Sequence, residues 1–418
     1  MVTSVISAGD AANLGVQTTG GNDGVLVLRS GAAGAKVDAL SIAASGAATL
    51  ASTLAVAGAV TGVTSINSGQ IGGRRNIVIN GEMKVAQRSA SETGLGAASG
   101  YFTLDRWNMA INAASAGRYT MAQVADGPAG FANSLKISTT TSDTSIAASE
   151  LLILQQRFEG QDLQQLQKGT ATSKQVTVSF YVKGNASATY TCEFNDVDNG
   201  RQIAQEFAVT TSWNRIELTF AADTSDPFGD DNARSLDLNF WLHAGSTYTG
   251  GTFSSNAWKD SVANTRASDS QTSIFDADSR TFFLTGVQME IGATATEFES
   301  RTYGEELTLC QRYYQSSFRY GPLVSNASSS PHFIAYSNLI LVGALFYPVV
   351  MRVIPTIVIY SPLALNAGKI ENVANVEQAG TFTDSSTTPK GITQINGSGS
   401  SLTAGTMYQF AYTSDAEL

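Results

Sequence analysis

Three segments of this chain alternate apolar and polar residues without a break, and they limit the fold more than any other feature. In Gln175–Lys183, Val176, Val178, Phe180 and Val182 fall on one side, and Thr177, Ser179, Tyr181 and Lys183 on the other. Asn214–Phe220 repeats the pattern with Ile216, Leu218 and Phe220, and Ser235–Leu242 with Leu236, Leu238, Phe240 and Leu242. A period of two means strands with one face in a core and the other toward solvent, which is the habit of antiparallel sheets. Roughly ten such strands, broken by Gly, Asn, Asp and Ser turns, predict a jelly-roll β-sandwich over residues 74–302. A short helix is expected at Asp162–Gln167 and a bulge near Gly286, because Phe282 and Leu284 fall out of phase with Val287, Met289 and Ile291.

The flanks read differently. Residues 1–73 hold no proline, no aromatic residue and five charges, Asp10, Asp23, Arg29, Lys36 and Asp38. Strand-length runs such as Val25–Leu28 and Thr53–Val56 alternate with Gly or Ser turns. One copy of such a stretch buries too little apolar area to offset its chain entropy. A thin β shaft shared by several chains is the expected form, with a flexible linker as the alternative. Residues 303–319 read as a helical connector, in which Leu307, Cys310, Tyr313 and Tyr314 could share a face. Residues 320–418 read as a small C-terminal β domain holding six of the eight prolines. Pro355 places the strand around it at an edge or a bulge. The expected architecture is thus all-β, an intertwined homotrimer with a small-residue N-terminal β shaft, a central antiparallel jelly-roll sandwich and a small C-terminal β domain.

The net charge of −10 argues against a nucleic-acid binder. Two cysteines and two histidines exclude a disulfide framework and a Cys- or His-built metal centre. Cys192, on a strand face with Tyr190 and Phe194, reads as an inert buried thiol. The 13 apolar residues Leu339–Met351 are too few to span a bilayer, where about 20 are needed. No secretory signal pattern opens the chain, so synthesis in a cytoplasm without export by that route is expected. The acidic turns Asp226–Asn232 and Asp276–Asp278 permit a calcium site or plain solvated loops. No Walker loop, nucleophile elbow or zinc-protease motif is present, so neither an enzyme nor a cofactor is expected. Sugar binding asks for aromatic faces ringed by hydroxyls, and Trp241, Tyr248, Phe253 and Trp258 are the candidate ligand-binding residues. The alternative has Trp241 covered by the loop that follows it and Trp258 packed on a neighbouring subunit.

Three strings carry a resemblance: Ser68–Arg88, which includes Asn76-Ile-Val-Ile-Asn-Gly81; Tyr101–Trp107, which ends in Asp105-Arg-Trp; and Phe282–Tyr314. In this order they resemble the fibre proteins of tailed bacteriophages. The resemblance implies a carbohydrate-binding-module-like jelly roll within a trimeric tail fibre. Its N-terminal part would attach to a virion tail or adaptor protein, and distal parts would meet a host-surface glycan or receptor. A polysaccharide-degrading tailspike and a purely architectural head or tail fibre are the competing readings.

Overall fold

The computed structural model describes residues 74–112, 115–318 and 330–418 in full; of the first 73 residues it describes the backbone of five short strands. The chain forms two compact units, Met1–Thr64 and Ser65–Leu418. In the first, Leu26–Ser30, Val37–Ile42 and Ala48–Leu50 form a three-stranded antiparallel sheet, with Leu28 opposite Leu40 and Leu40 opposite Leu50. The expected shared shaft and N-terminal attachment part rest on residues and side chains outside those described.

The second unit begins with two antiparallel sheets. The front sheet runs in the order Asn214–Phe220, Val176–Gly184, Thr281–Ile291, Ser134–Thr141, Arg118–Val124, Ser91–Leu95. The back sheet runs Lys259–Asp260, Arg201–Val209, Ala188–Asp196, Arg234–Ala244, Leu151–Glu159, Asn108–Asn112, Gly100–Tyr101. The alternating residues read from sequence form the interface: Val178, Phe180, Val182, Leu238, Phe240 and Leu242 are fully buried. Rings cross between the sheets. Phe180 of the front meets Phe207 and Phe240 of the back edge-on at 5.1 and 5.0 Å, and Phe220 meets Phe194 at 4.7 Å. Fully burying one such side chain stabilises the fold by roughly 1.5–3 kcal/mol, so this aromatic layer holds the sheets together.

The bulge lies where the phase slip placed it. Ser179 pairs with Gln288 but Tyr181 with Thr285, so one residue opposes two at Gly286 and Val287. Gly286 takes φ +61, which a side chain resists. The slip returns Phe282 and Leu284 to the same buried side as Val287 and Met289. One expectation fails locally. Asp162–Gln167 is not an α-helix but two 3-10 turns, Gly160–Asp162 and Gln164–Leu166, closed by Gln167 in the left-handed region. Asn76–Asn80 joins no ladder: the Ile77 N–H donates to the Met289 carbonyl at 2.9 Å, Ile79 exchanges two hydrogen bonds of 2.8 Å with the Gln156 amide, and the Asn76 N–H donates to Glu299.

Helix Tyr303–Gln311 follows, opened by a capping box between Thr302 and Glu305. Beyond it lie a three-stranded sheet, Tyr314–Ser316, Ala411–Asp415 and Thr356–Tyr360, and a six-stranded sheet. The latter runs Glu371–Asn372, Met407–Gln409, His332–Ala335, Ile340–Phe346, Gly391–Ser398, Thr381–Thr388. Pro355 sits just before Thr356–Tyr360, an edge strand of its sheet, where its missing N–H costs nothing. Phe333, Leu341, Met351, Ile370, Ile395 and Phe410 lie in a separate core within this one chain.

Candidate functional site

The four aromatic residues singled out from sequence do not assemble into one exposed platform. Trp241 is fully buried on the outer side of the back sheet, beneath Tyr248 at 5.3 Å and the Arg266 guanidinium at 5.1 Å. Its indole N–H donates to Glu193 at 2.8 Å, so it presents no ring to solvent. Tyr248 is buried with it, on a single helical turn at Ser246–Thr249. Phe253 is half-buried. Trp258 is half-buried at the rim of a small cavity shared with Phe194, Phe220 and Phe228, and its N–H is spent on the Ala221 carbonyl at 2.7 Å. The covered alternative thus describes Trp241, through the folding back of residues 245–268.

A different surface combines aromatic rings with hydroxyls. On the front sheet, the residues between the core positions point outward: Thr120 and Ala122, Lys136 and Ser138, Phe283, and Lys183. Lys136 lies directly opposite Ala122 on one side and Phe283 on the other, and Phe283 lies opposite Lys183. An open groove of about 490 Å³ runs along Thr120, Ala122, Val124, Lys136, Ser138 and Thr140. Trp213 stands beside it, edge-on to Phe283 at 6.1 Å, and both rings are half-buried. The Lys183 ammonium sits 5.0 Å from one ring and 4.8 Å from the other, and the Lys136 ammonium 5.4 Å from Phe283. Asp126 holds Lys183 at 2.8 Å and accepts a longer bond from the Trp213 N–H, fixing both. These contacts hold its carboxyl below the usual carboxylate range, the Lys183 hydrogen bond first. The surface therefore offers fixed aromatic faces, rows of hydroxyls and ammonium groups, able to stack on and hydrogen-bond to a polyhydroxylated ligand. The sequence signal was there: Phe283 stands between core-facing Phe282 and Leu284, and Lys183 sits on the polar face of its strand.

The three strings behind the resemblance meet in one buried polar junction. Asn80, at φ +60, donates its amide to the carbonyls of Val85 and Asp105, and its carbonyl accepts the Trp107 indole N–H at 3.1 Å. Asp105 and Arg106 are buried, and each pairs elsewhere. Asp105 accepts both Gln87 N–H groups and lies 4.0 Å from Arg88. Arg106 lies 3.5 Å over the Tyr313 ring, pairs with Glu417 and donates to the Arg157 carbonyl. Arg88 stacks on Tyr314 and reaches Asp415 and Glu417 at 3.0 and 3.3 Å. From the third string, Arg301 donates to the Asn76 and Val78 carbonyls, and Glu306 accepts from the Asn80 N–H. Burial pushes the Asp105 carboxyl up to about 6, against the pull of Arg88 and Gln87. The strings thus join the sandwich to the last strand of the chain; they do not build a surface site.

The other chemical candidates are committed internally. Burial raises the thiols of Cys192 and Cys310 well above the ordinary range. Three carboxylates of the acidic turns are spent on the backbone and on arginine: Asp231 caps the Ala233 N–H, Asp276 pairs with Arg280, and Asp278 accepts the Ser142 N–H. Among the described residues no group of three or more His, Cys, Asp or Glu is placed to hold a metal ion. A buried Ser273–His243–Glu150 chain, 2.7 and 3.2 Å, resembles a nucleophile relay. Its Ser273 hydroxyl also takes the Phe275 N–H, and the Phe275 ring packs on the imidazole at 5.2 Å.

No protein-family model matches the chain, and no curated protein does. Similar solved structures include a CBM4 structure at 15% identity, covering 44% of this chain and 86% of that one, with a TM-score of 0.24. Another is a family 11 carbohydrate-binding module of a Clostridium thermocellum cellulase, at 13% identity over 50% and 98% of the two chains, TM-score 0.24. A third is the enzymatically active domain of tailspike protein 4 of bacteriophage CBA120, at 12% identity over 44% and 19%, TM-score 0.24. At those scores the likeness carries no argument about what this chain binds. Among the described residues no helix is long and apolar enough to cross a membrane.

Proposed function

We propose that this chain is a structural protein of a tailed-phage virion, a homotrimeric tail fibre whose jelly-roll sandwich holds a host-surface glycan along the front-sheet groove. The observation that carries the ligand reading is the pairing of Trp213 and Phe283 with the hydroxyl-lined groove of Thr120, Ser138 and Thr140. The three strings support the fibre reading, and residues 1–30 are the proposed link to a tail or adaptor protein. Binding without cleavage is proposed. A glycosidase needs two carboxylates across a cleft, and Asp126, the carboxylate beside Trp213, is tied to Lys183. Trp258 is retained as a second candidate contact, since part of its ring remains exposed.

The test uses a panel of bacterial surface polysaccharides in affinity electrophoresis, with polymer length measured before and after incubation. The wild type should be retained by at least one polymer and leave its length unchanged. Trp213→Ala and Phe283→Ala should each weaken retention on the order of 5- to 150-fold, from the ~1–3 kcal/mol that a stacking ring contributes to base binding in other proteins. Shortened polymer would establish the tailspike-enzyme reading instead. Loss with Trp258→Ala alone would move the site to the 244–258 loop.

A further inference from the structure

Fifteen large apolar residues are exposed among the described residues, and eleven of them lie between Ile334 and Met407. Five share one surface, the outer face of the six-stranded C-terminal sheet. Along His332–Ala335 and Ile340–Phe346, Phe333, Ala335 and Leu341 face the core, which turns Ile334, Val342 and Phe346 outward. Ile334 lies directly opposite Val342 on one side and Met407 on the other. Tyr336 continues the row and is 73% exposed, and Phe346 is 75% exposed. A strand face this apolar would ordinarily point into a core.

Two features of the face name its occupant. First, the cross-strand rows Met407–Ile334–Val342–Gln394 and Ile340–Asn396–Thr383 contain no ionisable side chain, while exposed His332, two residues before Ile334 on the same strand, stands beside them. Copies of a chain carrying a net charge of −10 repel each other over most of their surface. A residue that lies on a symmetry axis also meets its own copy, so a charge there would face its like. A face that grades from apolar side chains into amides and hydroxyls suits such self-contact, because Asn and Gln can donate and accept reciprocally. Second, the size fits. Three quarters of two aromatic rings, with Ile334, Val342 and Met407, make an apolar patch of roughly 400–600 Å², at the upper limit of what monomers leave bare. With its polar rim the face approaches the ~800 Å² per partner of a stable interface.

We infer that this face is where copies of the chain associate, the apolar row of one copy packing on that of the next. The inference deepens the assembly part of the proposed function and is independent of the ligand. The full chain is examined by sedimentation velocity at micromolar concentration, together with Ile334→Glu/Val342→Glu. The wild type should sediment as an oligomer. The variant should dissociate, its Kd raised at least 100-fold, with its far-ultraviolet circular dichroism and thermal midpoint unchanged. Met407 supplies a readout that needs no variant: in the wild-type oligomer its oxidation by hydrogen peroxide should be as slow as that of buried Met351. A folded variant that keeps the wild-type mass, or rapid oxidation of Met407 in the oligomer, overturns the assignment of this face while leaving assembly itself standing. A wild type that sediments as a monomer overturns both.

Discussion

Arg106→Ala removes the side chain that ties the sandwich to the end of the chain. Arg106 is 1% exposed, at φ +71, with its guanidinium against Tyr313, Glu417 and the Arg157 carbonyl. Burial works against its charge, and Glu417, Tyr313 and Tyr101 together more than compensate, so its proton is held more tightly than in water. Deleting one partner of a buried ion pair costs roughly 3–5 kcal/mol, because the other charge stays buried without it. Here Glu417 keeps Arg88 at 3.3 Å, which draws the loss toward the lower value, while the vacated Tyr313 face adds to it. With ~2.1 cal/mol/K of unfolding entropy per residue over Ser65–Leu418, that loss lowers the thermal midpoint by about 4–7 °C. Differential scanning calorimetry of the full chain reads it. Arg106→Met combined with Glu417→Gln removes both charges and should cost less than Arg106→Ala alone. A shift below 1 °C for Arg106→Ala, or a double variant costing the sum of its two singles, would refute the account of the junction.

Lys168→Met should destabilise by about 3 kcal/mol in denaturant unfolding, because it leaves the buried carboxylate of Asp196, 2.7 Å from the ammonium, without a cation, while Asp223, 3.3 Å away, keeps Arg201 at 2.9 Å. Gly81→Ala should cost about 2 kcal/mol or more, since its methyl group would stand 2.1 Å from the Val287 carbonyl oxygen; an unchanged midpoint would contradict that close approach. Two buried groups give the pH dependence of stability opposite signs. Burial holds the His243 pKa below 6.5, so its contribution is lost as pH falls below that value, and His243→Gln should flatten the loss. Burial raises the Asp105 carboxyl to about 6, so the fold binds its proton more tightly than the unfolded chain. That contribution is present at low pH and lost as pH rises from about 4 through 6, and Asp105→Asn should abolish the fall. Thermal midpoints of both variants between pH 4 and 7.5 check the two signs.

The strands were legible because alternation is a local signal: Val178, Phe180 and Val182 report their buried face without knowledge of a partner. The bulge at Gly286 was legible for the same reason, as a break in phase between Leu284 and Val287. Alternation says which side of a strand a residue takes, but not whether another layer covers that side. Trp241 was correctly placed opposite Phe240, yet residues 245–268 fold over it. The junction was hidden for a different reason. Asn80 finds Glu306, and Arg106 finds Glu417, across more than two hundred residues, and neither partner belongs to a periodic pattern. Trp213 was missed because it lies in the turn before Asn214–Phe220 and acquires its role only when the sheet brings Phe283 and Lys183 beside it.

The central claim is that the outer face of the front sheet receives the glycan. Hydroxyl-radical footprinting of the full chain, with and without a soluble polysaccharide that retains it in electrophoresis, tests this without altering a residue. Protection should centre on Trp213 and Phe283, with lesser effects at Val124 and Tyr181, while Trp258 and the residues around Ile334 keep the reactivity they have without polymer. Protection of Trp258 or of the C-terminal sheet, with Trp213 and Phe283 unchanged, would contradict it.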